Sequence, residues 1–156
     1  MITANKLILY LGIILFFMAA CSDVMTRLIP NLLVAAVALL GVIRLIVIGN
    51  IKITLYTLGV SFLIILGGAI PFAHGFIGGG DVKLIAAAAL VIGYRGSIRF
   101  MLLLVLCGIL QCLIAIIAGT GGSVTIPYGV AIAIAGSIML VIQPTSNRTP
   151  EEGAPA

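Results

Sequence analysis

The sequence predicts an all-α integral membrane protein, a bundle of about six transmembrane helices. Of its 156 residues, 63% are hydrophobic and only 8% are charged, and the mean hydropathy is +1.39. Soluble domains carry about 25% charged residues, so this composition excludes a soluble globular protein. Because each span needs about 20 apolar residues, a chain of this length leaves no room for a separate soluble domain.

Six apolar segments follow one another along the chain, and polar residues, glycine or proline separate them. Segments of this polarity are typical of transmembrane helices. We predict spans over residues 7–20, 32–48, 54–72, 82–93, 100–118 and 126–142. The spans and their short loops form one membrane domain, residues 1–143, and we expect the polar residues 144–156 to form a disordered tail.

The connection between the first two spans contains an acid, a base and a proline. Asp23 and Arg27 are four residues apart, so their side chains can pair if the first helix continues through them. Pro30 predicts that this helix ends before it. Further along, Arg44 stands near the far end of the second span, where its long side chain is expected to extend to the membrane interface.

Glycine and proline interrupt the third span. Gly59, Gly67 and Gly68 are expected to give flat surfaces on which other helices pack closely. Pro71 is expected to break the helix, because proline lacks the backbone N–H that a helix needs. The chain then passes through His74 into a run of glycines.

The most unusual polar stretch is Gly78-Gly79-Gly80-Asp81-Val82-Lys83, which places an acid and a base in otherwise apolar sequence. Charged residues inside membrane proteins are costly and are therefore candidates for a functional site. The glycines let another part of the chain or a substrate come close, and the apolar run after Lys83 predicts a helix whose first turn holds Asp81. That helix covers only about 20 Å of a hydrocarbon core of about 30 Å, so we expect Asp81 at or below the membrane interface opposite the turn that contains Tyr94, Arg95 and Arg99.

Asp23 and Asp81 are the only acidic residues before the tail. Two spans lie between them, so both carboxylates return to the same side of the membrane. If the fold brings them together, they can share a proton, and one then activates water while the other donates a hydrogen bond to a carbonyl group. This is the chemistry of an aspartic protease, and it needs no metal.

Two other interpretations of the same residues remain open. Asp23 can pair with Arg27, and Asp81 with Lys83 or a helix N-terminus, as anchors for packing and topology. A small channel or a proton-coupled carrier could instead use Asp81 and Lys83 as relay groups for protons or ions.

The composition predicts neither a metal cofactor nor a nucleic-acid partner. The three cysteines, Cys21, Cys107 and Cys112, contain no CxxC pair and no zinc-ligand spacing. The eight basic residues are dispersed along the chain, whereas nucleic-acid-binding proteins concentrate them on one surface. We therefore expect no cofactor.

Three motifs follow one another in the chain: Asp23 ahead of Arg27-Leu28-Ile29-Pro30-Asn31, then Gly78-Gly79-Gly80-Asp81-Val82-Lys83-Leu84, then Ile126-Pro127-Tyr128-Gly129. In order and spacing they resemble the type IV prepilin peptidase family, the GxGD class of membrane aspartic proteases, over about residues 15–135. The resemblance implies that Asp23 and Asp81 are the catalytic pair. It implies supporting roles for Gly78, Gly80, Lys83, Arg27, Pro30 and Asn31.

The resemblance also implies a substrate and a setting. Such enzymes cut the short basic leader of type IV prepilins beside the start of the apolar pilin helix, within the inner membrane and next to the pilus-assembly and secretion machinery. Larger members carry an N-methyltransferase domain with paired zinc cysteines, which this sequence lacks. The chain is similar to the short, peptidase-only form of Flp or tad-type pili, without methyltransferase activity; archaeal preflagellin peptidases are an alternative.

Two arguments disagree on orientation. The resemblance places the aspartates at the cytoplasmic face, where a basic leader is retained. The positive-inside rule favours the reverse, because Arg27 and Lys83 lie on the aspartate side and more basic residues lie on the other. Those on the other side are Lys6, Arg44, Lys52, Arg95, Arg99 and Arg148. We expect the cytoplasmic placement.

Overall fold

The computed structural model describes residues 2–75, 77–117 and 128–142. These residues form six α-helices and no strand, which confirms the predicted all-α fold. The helices are α1 Ile2–Thr26, α2 Asn31–Ile48, α3 Ile51–Ala73, α4 Gly79–Ile92, α5 Tyr94–Ile117 and α6 Tyr128–Ile142. The predicted tail, residues 144–156, lies outside the described residues.

Among the described helices, α1, α2, α3 and α5 are long and apolar enough to cross a membrane. The other two are shorter, 14 residues in α4 and 15 in α6. Two helix ends differ from the prediction in a way that bears on the acids. Helix α1 continues past Ala20 to Thr26, and α4 already begins at Gly79. Asp23 and Asp81 therefore both lie in helical turns.

Helix α4 lies at the centre of the bundle and contacts α2, α3, α5 and α6, while α1 packs on α2 and α6. Its buried residues are Val82, Leu84, Ile85, Ala86, Ala87, Ala88, Ala89, Val91 and Ile92. The run of alanines lets the neighbouring helices approach closely. By contrast, of all the residues in α3 only Thr57 and Ser61 are buried, so the apolar surface of this helix is available to lipid.

Glycine supports close helix contacts at some positions and not at others. A Cβ atom added to Gly68 would lie 2.5 Å from Val82 of α4, and one added to Gly41 would lie 2.6 Å from Leu90. The expectation of close packing is therefore confirmed for Gly68. It is wrong for Gly59 and Gly67, which have no described atom within 4 Å of an added Cβ.

Pro71 does not break α3 where the sequence predicted. It lies inside the helix, which continues to Ala73 before His74 and Gly75, with φ of 73° at Gly75, end it. Proline removes a single backbone hydrogen bond, and this one lies in the last turn of the helix, where little helix remains to be disrupted.

Arg44 does not extend to the interface but is buried, with 8% of its surface exposed. Its Nε donates a hydrogen bond of 3.2 Å to Oδ1 of Asn5 in α1, and its Nη1 donates to the carbonyl of Val91 in α4. The last carbonyl groups of a helix have no partner within the helix and attract a cation. This demand explains why Arg44 turns inward and joins α1, α2 and α4.

The two buried polar residues of α3 serve neighbouring helices. The hydroxyl of Ser61 donates to the carbonyl of Ala86 in α4 over 3.1 Å. Thr57 accepts the backbone N–H of Tyr94, the first residue of α5, over 3.2 Å. The connection between α4 and α5 is thereby held against α3, and Gly93 alone separates the two helices.

Replacing Arg44 with methionine should destabilise the bundle. Methionine keeps the apolar stem of the arginine side chain but removes the guanidinium group, so the amide oxygen of Asn5 and the carbonyl of Val91 stay buried without this donor. At about 1–3 kcal/mol for each of the two unsatisfied buried groups, we expect a loss of about 2–6 kcal/mol in the free energy of unfolding, measured by thermal unfolding in detergent. Arg99→Met, at an exposed position, is the matched control and should change stability by less than about 0.5 kcal/mol. Equal effects of the two changes would contradict the bridging role.

Candidate active site

Asp23 lies in the last turn of α1 and is buried, with 6% of its surface exposed. Its Oδ2 atom accepts a hydrogen bond of 2.7 Å from the backbone N–H of Gly129. Gly129 is the second residue of α6, where the backbone N–H groups have no partner within the helix and carry partial positive charge. The carboxylate therefore satisfies a helix N-terminus that is distant in sequence.

The chain around Asp23 is fixed by hydrogen bonds at the end of α1. Arg27 adopts a left-handed conformation, with φ of 55°, and its N–H donates to the carbonyl of Asp23 over 2.9 Å. The hydroxyl groups of Ser22 and Thr26 donate to the carbonyl of Leu28 over 2.9 and 3.1 Å. These bonds hold the turn that leads from α1 towards α2.

The pairing of Asp23 with Arg27, which required the first helix to continue through both residues, is not observed, because α1 ends at Thr26. Because Arg27 is left-handed, it no longer follows the helical face that Asp23 occupies, and its side chain is exposed. Within the described part of the chain the carboxylate of Asp23 bonds to the Gly129 backbone and forms no ion pair with Arg27. This arrangement weighs against the interpretation of Asp23 as half of an anchoring salt bridge.

Asp81 lies in the first turn of α4 and is half-buried. Gly78 caps this helix, and a Cβ added to Gly78 would lie 2.9 Å from Oδ2 of Asp81. A Cβ on Gly79 would lie 3.1 Å from the ring of Phe72, and one on Gly80 would lie 3.5 Å from Ile29. The glycine run thus brings together the end of α3, the start of α4 and the loop between α1 and α2.

The two carboxylates interact electrostatically. Burial raises the pKa of Asp81 to about 6, the charge of Asp23 adds to the rise, and a hydrogen bond from the Gly78 backbone opposes it. Asp81 lies outside the four helices long enough to cross a membrane. The approach of Gly80 to Ile29, in the loop that follows α1, places both carboxylates at the same end of the bundle, as the two intervening spans predicted.

The other residues that the motifs singled out lie around this pair without bonding to it. Lys83 is exposed, and among the described residues it forms no ion pair with Asp81. Pro30 and Asn31 are exposed at the start of α2, where Pro30 occupies the N-cap position. Their supporting roles stay predictions.

Gly129 is a residue of the site to which the sequence assigned no role. A Cβ at this position would lie 2.8 Å from Oδ2 and 2.9 Å from Cγ of Asp23, so only glycine lets the backbone come this close. Its signal was present in the third motif, which ends on Tyr128-Gly129. Ile126 and Pro127 of that motif lie outside the described residues.

The described histidine, cysteine and acidic residues form no group of three or more that could hold a metal ion. The expectation that the protein needs no metal or cofactor stays a prediction. The arrangement that the described residues do provide is a pair of interacting carboxyl groups, one tied to a backbone N–H and one at a glycine-rich turn.

A family model described as the type IV leader peptidase family matches residues 10–113, about two thirds of the chain. Comparisons with curated proteins and with solved structures give no match. The chain belongs to the type IV leader peptidase family, which confirms the resemblance drawn from the motifs. The matched range includes both Asp23 and Asp81.

The two motif glycines should differ in their tolerance of a methyl group. Gly78→Ala forces the carboxylate of Asp81 to move, because the added Cβ would lie 2.9 Å from its Oδ2, and we expect about a 10-fold loss in the rate of peptide cleavage, against roughly 100-fold for a misplacement of about 1 Å. Gly80→Ala makes an ordinary contact with Ile29 and should change the rate by about twofold. Peptidase activity at matched protein levels measures both, and greater damage from Gly80→Ala would contradict the geometry.

Proposed function

We propose that this member of the type IV leader peptidase family is a membrane-embedded aspartic endopeptidase that removes the short leader of Flp-like type IV prepilins. The observation that carries the proposal is the interaction between the carboxylates of Asp23 and Asp81, the two acids in the membrane domain. Carboxyl groups that share a proton are the machinery of metal-free peptide hydrolysis.

The proposed reaction uses the pair as one acid and one base. The ionised carboxylate takes a proton from water while the water oxygen bonds to the scissile carbonyl carbon, and the protonated carboxyl gives its proton to the carbonyl oxygen. A tetrahedral diol results. The carboxyl that took the water proton then gives it to the amide nitrogen as the carbon–nitrogen bond breaks, while the other carboxylate takes a proton from a hydroxyl of the diol, so the pair returns to one shared proton.

The surroundings of the pair suit a substrate with a polar leader and an apolar helix. Asp81 begins a helix of 14 residues, too short for the hydrocarbon core, so the pair lies near an interface where a leader leaves the bilayer. The large apolar residues exposed along α3 let a pilin helix remain in lipid beside the bundle.

Further parts of the proposal follow from the sequence. The chain has no CxxC pair to bind the zinc of a methyltransferase domain, so we assign it peptidase activity alone. We place it in the cytoplasmic membrane beside the pilus-assembly machinery, with the aspartates near the cytoplasmic face. An archaeal preflagellin would offer the same chemistry, a basic leader before an apolar helix.

Replacing either carboxyl with its amide tests the catalytic assignment. Asp23→Asn and Asp81→Asn keep the side-chain shape but cannot cycle a proton, so each should abolish leader cleavage while the protein still accumulates. The double variant should be no worse than either single one, because the pair acts as a unit. Cleavage of a co-expressed Flp-type prepilin, scored by its mobility shift in the presence of EDTA, is the measurement.

Lys52→Met is the matched control for these variants, because it removes an exposed charge at the start of α3, at the other end of the bundle from the pair; it should retain full cleavage. Substantial leader cleavage by either Asn variant would contradict the assignment of Asp23 and Asp81 as the catalytic pair. A change in proton permeability with intact cleavage would favour translocation instead. Activity that EDTA removes and a divalent ion restores would contradict the two-carboxylate mechanism.

The orientation can be tested with single cysteines that leave the charge count unchanged. Met25 and Ile98 are both exposed and lie at opposite ends of the bundle, beside Asp23 and at the start of α5. In a background without native cysteines, an impermeant thiol reagent added outside intact cells should label Ile98→Cys but not Met25→Cys. The reverse labelling would mean that the positive-inside rule decides the topology.

A further inference from the structure

The two carboxylates of the pair are held differently. Asp23 is buried and accepts the N–H of Gly129 at the N-terminus of α6, over 2.7 Å. Asp81 is half-buried in the first turn of its own helix, and the backbone hydrogen bond that it accepts comes from Gly78, which is exposed. A carboxylate at a helix N-terminus gains from both the N–H donor and the partial positive charge there, and this gain is larger for the ionised group.

The N–H of Gly129 is held rigidly by close packing of α6 on α1. Three contacts repeat along the antiparallel pair of helices: Gly129 on Asp23, Gly136 on Phe16, and Leu140 on Gly12. In each, a Cβ added to the glycine would lie within 2.8 Å of an atom of its partner. The donor therefore cannot follow Asp23 away from its position without separating the two helices.

Other ionisable groups at the end of the bundle that holds Asp23 and Asp81 affect the two acids less unequally than the N–H of Gly129 does. Those on the described segments at this end of the bundle are Cys21, Arg27, His74, Lys83, Cys107, Cys112 and Tyr128. Arg27 and Lys83 are exposed, so solvent screens their charges. The ring of Tyr128 lies beside Gly108 of α5. The backbone N–H of Gly129 is the buried donor that treats Asp23 and Asp81 unequally.

We infer that Gly129 assigns the two roles: its N–H fixes the negative charge on Asp23, which acts as the general base, and Asp81 carries the shared proton. Gly129 is then a positioning residue, and the inference rests on the proposed function. In the attack step Asp23 takes the proton of water, and Asp81 gives its proton to the carbonyl oxygen. The raised pKa of Asp81 agrees with this assignment.

The pH profile of kcat/KM distinguishes the two possible assignments. Activity needs one proton on the pair, so the acid limb reports the gain of a second proton and the alkaline limb the loss of the last. If the single negative charge of the pair resides on Asp23, weakening the hydrogen bond from Gly129 raises only the apparent pKa of the acid limb. If the charge resides on Asp81, the same change raises only the apparent pKa of the alkaline limb.

Gly129→Ala is the test variant, because its Cβ would push the Asp23 carboxylate away from the N–H. We expect the acid limb for cleavage of a Flp-type prepilin to move up by about one pH unit, with the alkaline limb unchanged. Gly136→Ala is the matched control: it crowds Phe16 on the same two helices, at 2.7 Å, and should leave both limbs in place.

Each outcome of this test decides the inference. Movement of the alkaline limb alone would reverse the two roles, and unchanged limbs in Gly129→Ala, or equal shifts in Gly136→Ala, would remove Gly129 from the mechanism. These failures leave the peptidase itself intact. By contrast, cleavage by the Asn variants of Asp23 or Asp81 would overturn the proposed function first.

An infrared measurement locates the proton even if Gly129→Ala does not fold. At about pH 5, the wild-type spectrum should contain the carbonyl band of a protonated carboxyl group. This band should be absent from the spectrum of Asp81→Asn and present in that of Asp23→Asn. Loss of the band in Asp23→Asn alone would place the proton on Asp23 and overturn the assignment.

Discussion

Helix ends inside an apolar bundle carry backbone groups that water cannot reach, and they must find hydrogen-bond partners within the protein. A few polar side chains meet this demand here. Asp23 accepts the N–H of Gly129 at the start of α6, and Arg44 donates to the carbonyl of Val91 at the end of α4. An acid thus serves a helix N-terminus and a base serves a C-terminus, each from a neighbouring helix.

Because of this constraint, α4 is the helix to which α1, α2 and α3 are tied by polar side chains. Its C-terminal end is tied by Arg44 to α1 and α2, and its middle is tied to α3 by the hydroxyl of Ser61. Its first turn packs through glycine on Phe72 and Ile29. Asp81 is therefore positioned by contacts along the whole helix, which explains how a carboxylate beside three flexible glycines keeps a defined place relative to Asp23.

The sequence was sufficient for the local features and insufficient for the long-range ones. The composition predicted the helices, and counting spans put Asp23 and Asp81 at one end of the bundle. The sequence did not predict that Asp23 bonds to the backbone of Gly129, 106 residues away, because Arg27 is closer in sequence and could have paired with it. The left-handed conformation of Arg27 takes its side chain off the helical face of Asp23, and no local pattern predicted that conformation. Nor could the sequence distinguish Gly68 from Gly67, since which one meets Val82 depends on how α3 rotates against α4.

Two residues of the same type can act as acid and base only if their surroundings differ. The fold creates this difference by placing the two aspartates on different helices. Asp23 belongs to the tightly packed pair of α1 and α6, where glycine lets a helix N-terminus reach its carboxylate. Asp81 belongs to α4 and faces the turn before it. A bundle that placed both acids against the same helix end would give them equal environments, so the contact of Asp23 with the N-terminus of α6, while Asp81 lies at the N-terminus of α4, is itself part of the proposed chemistry.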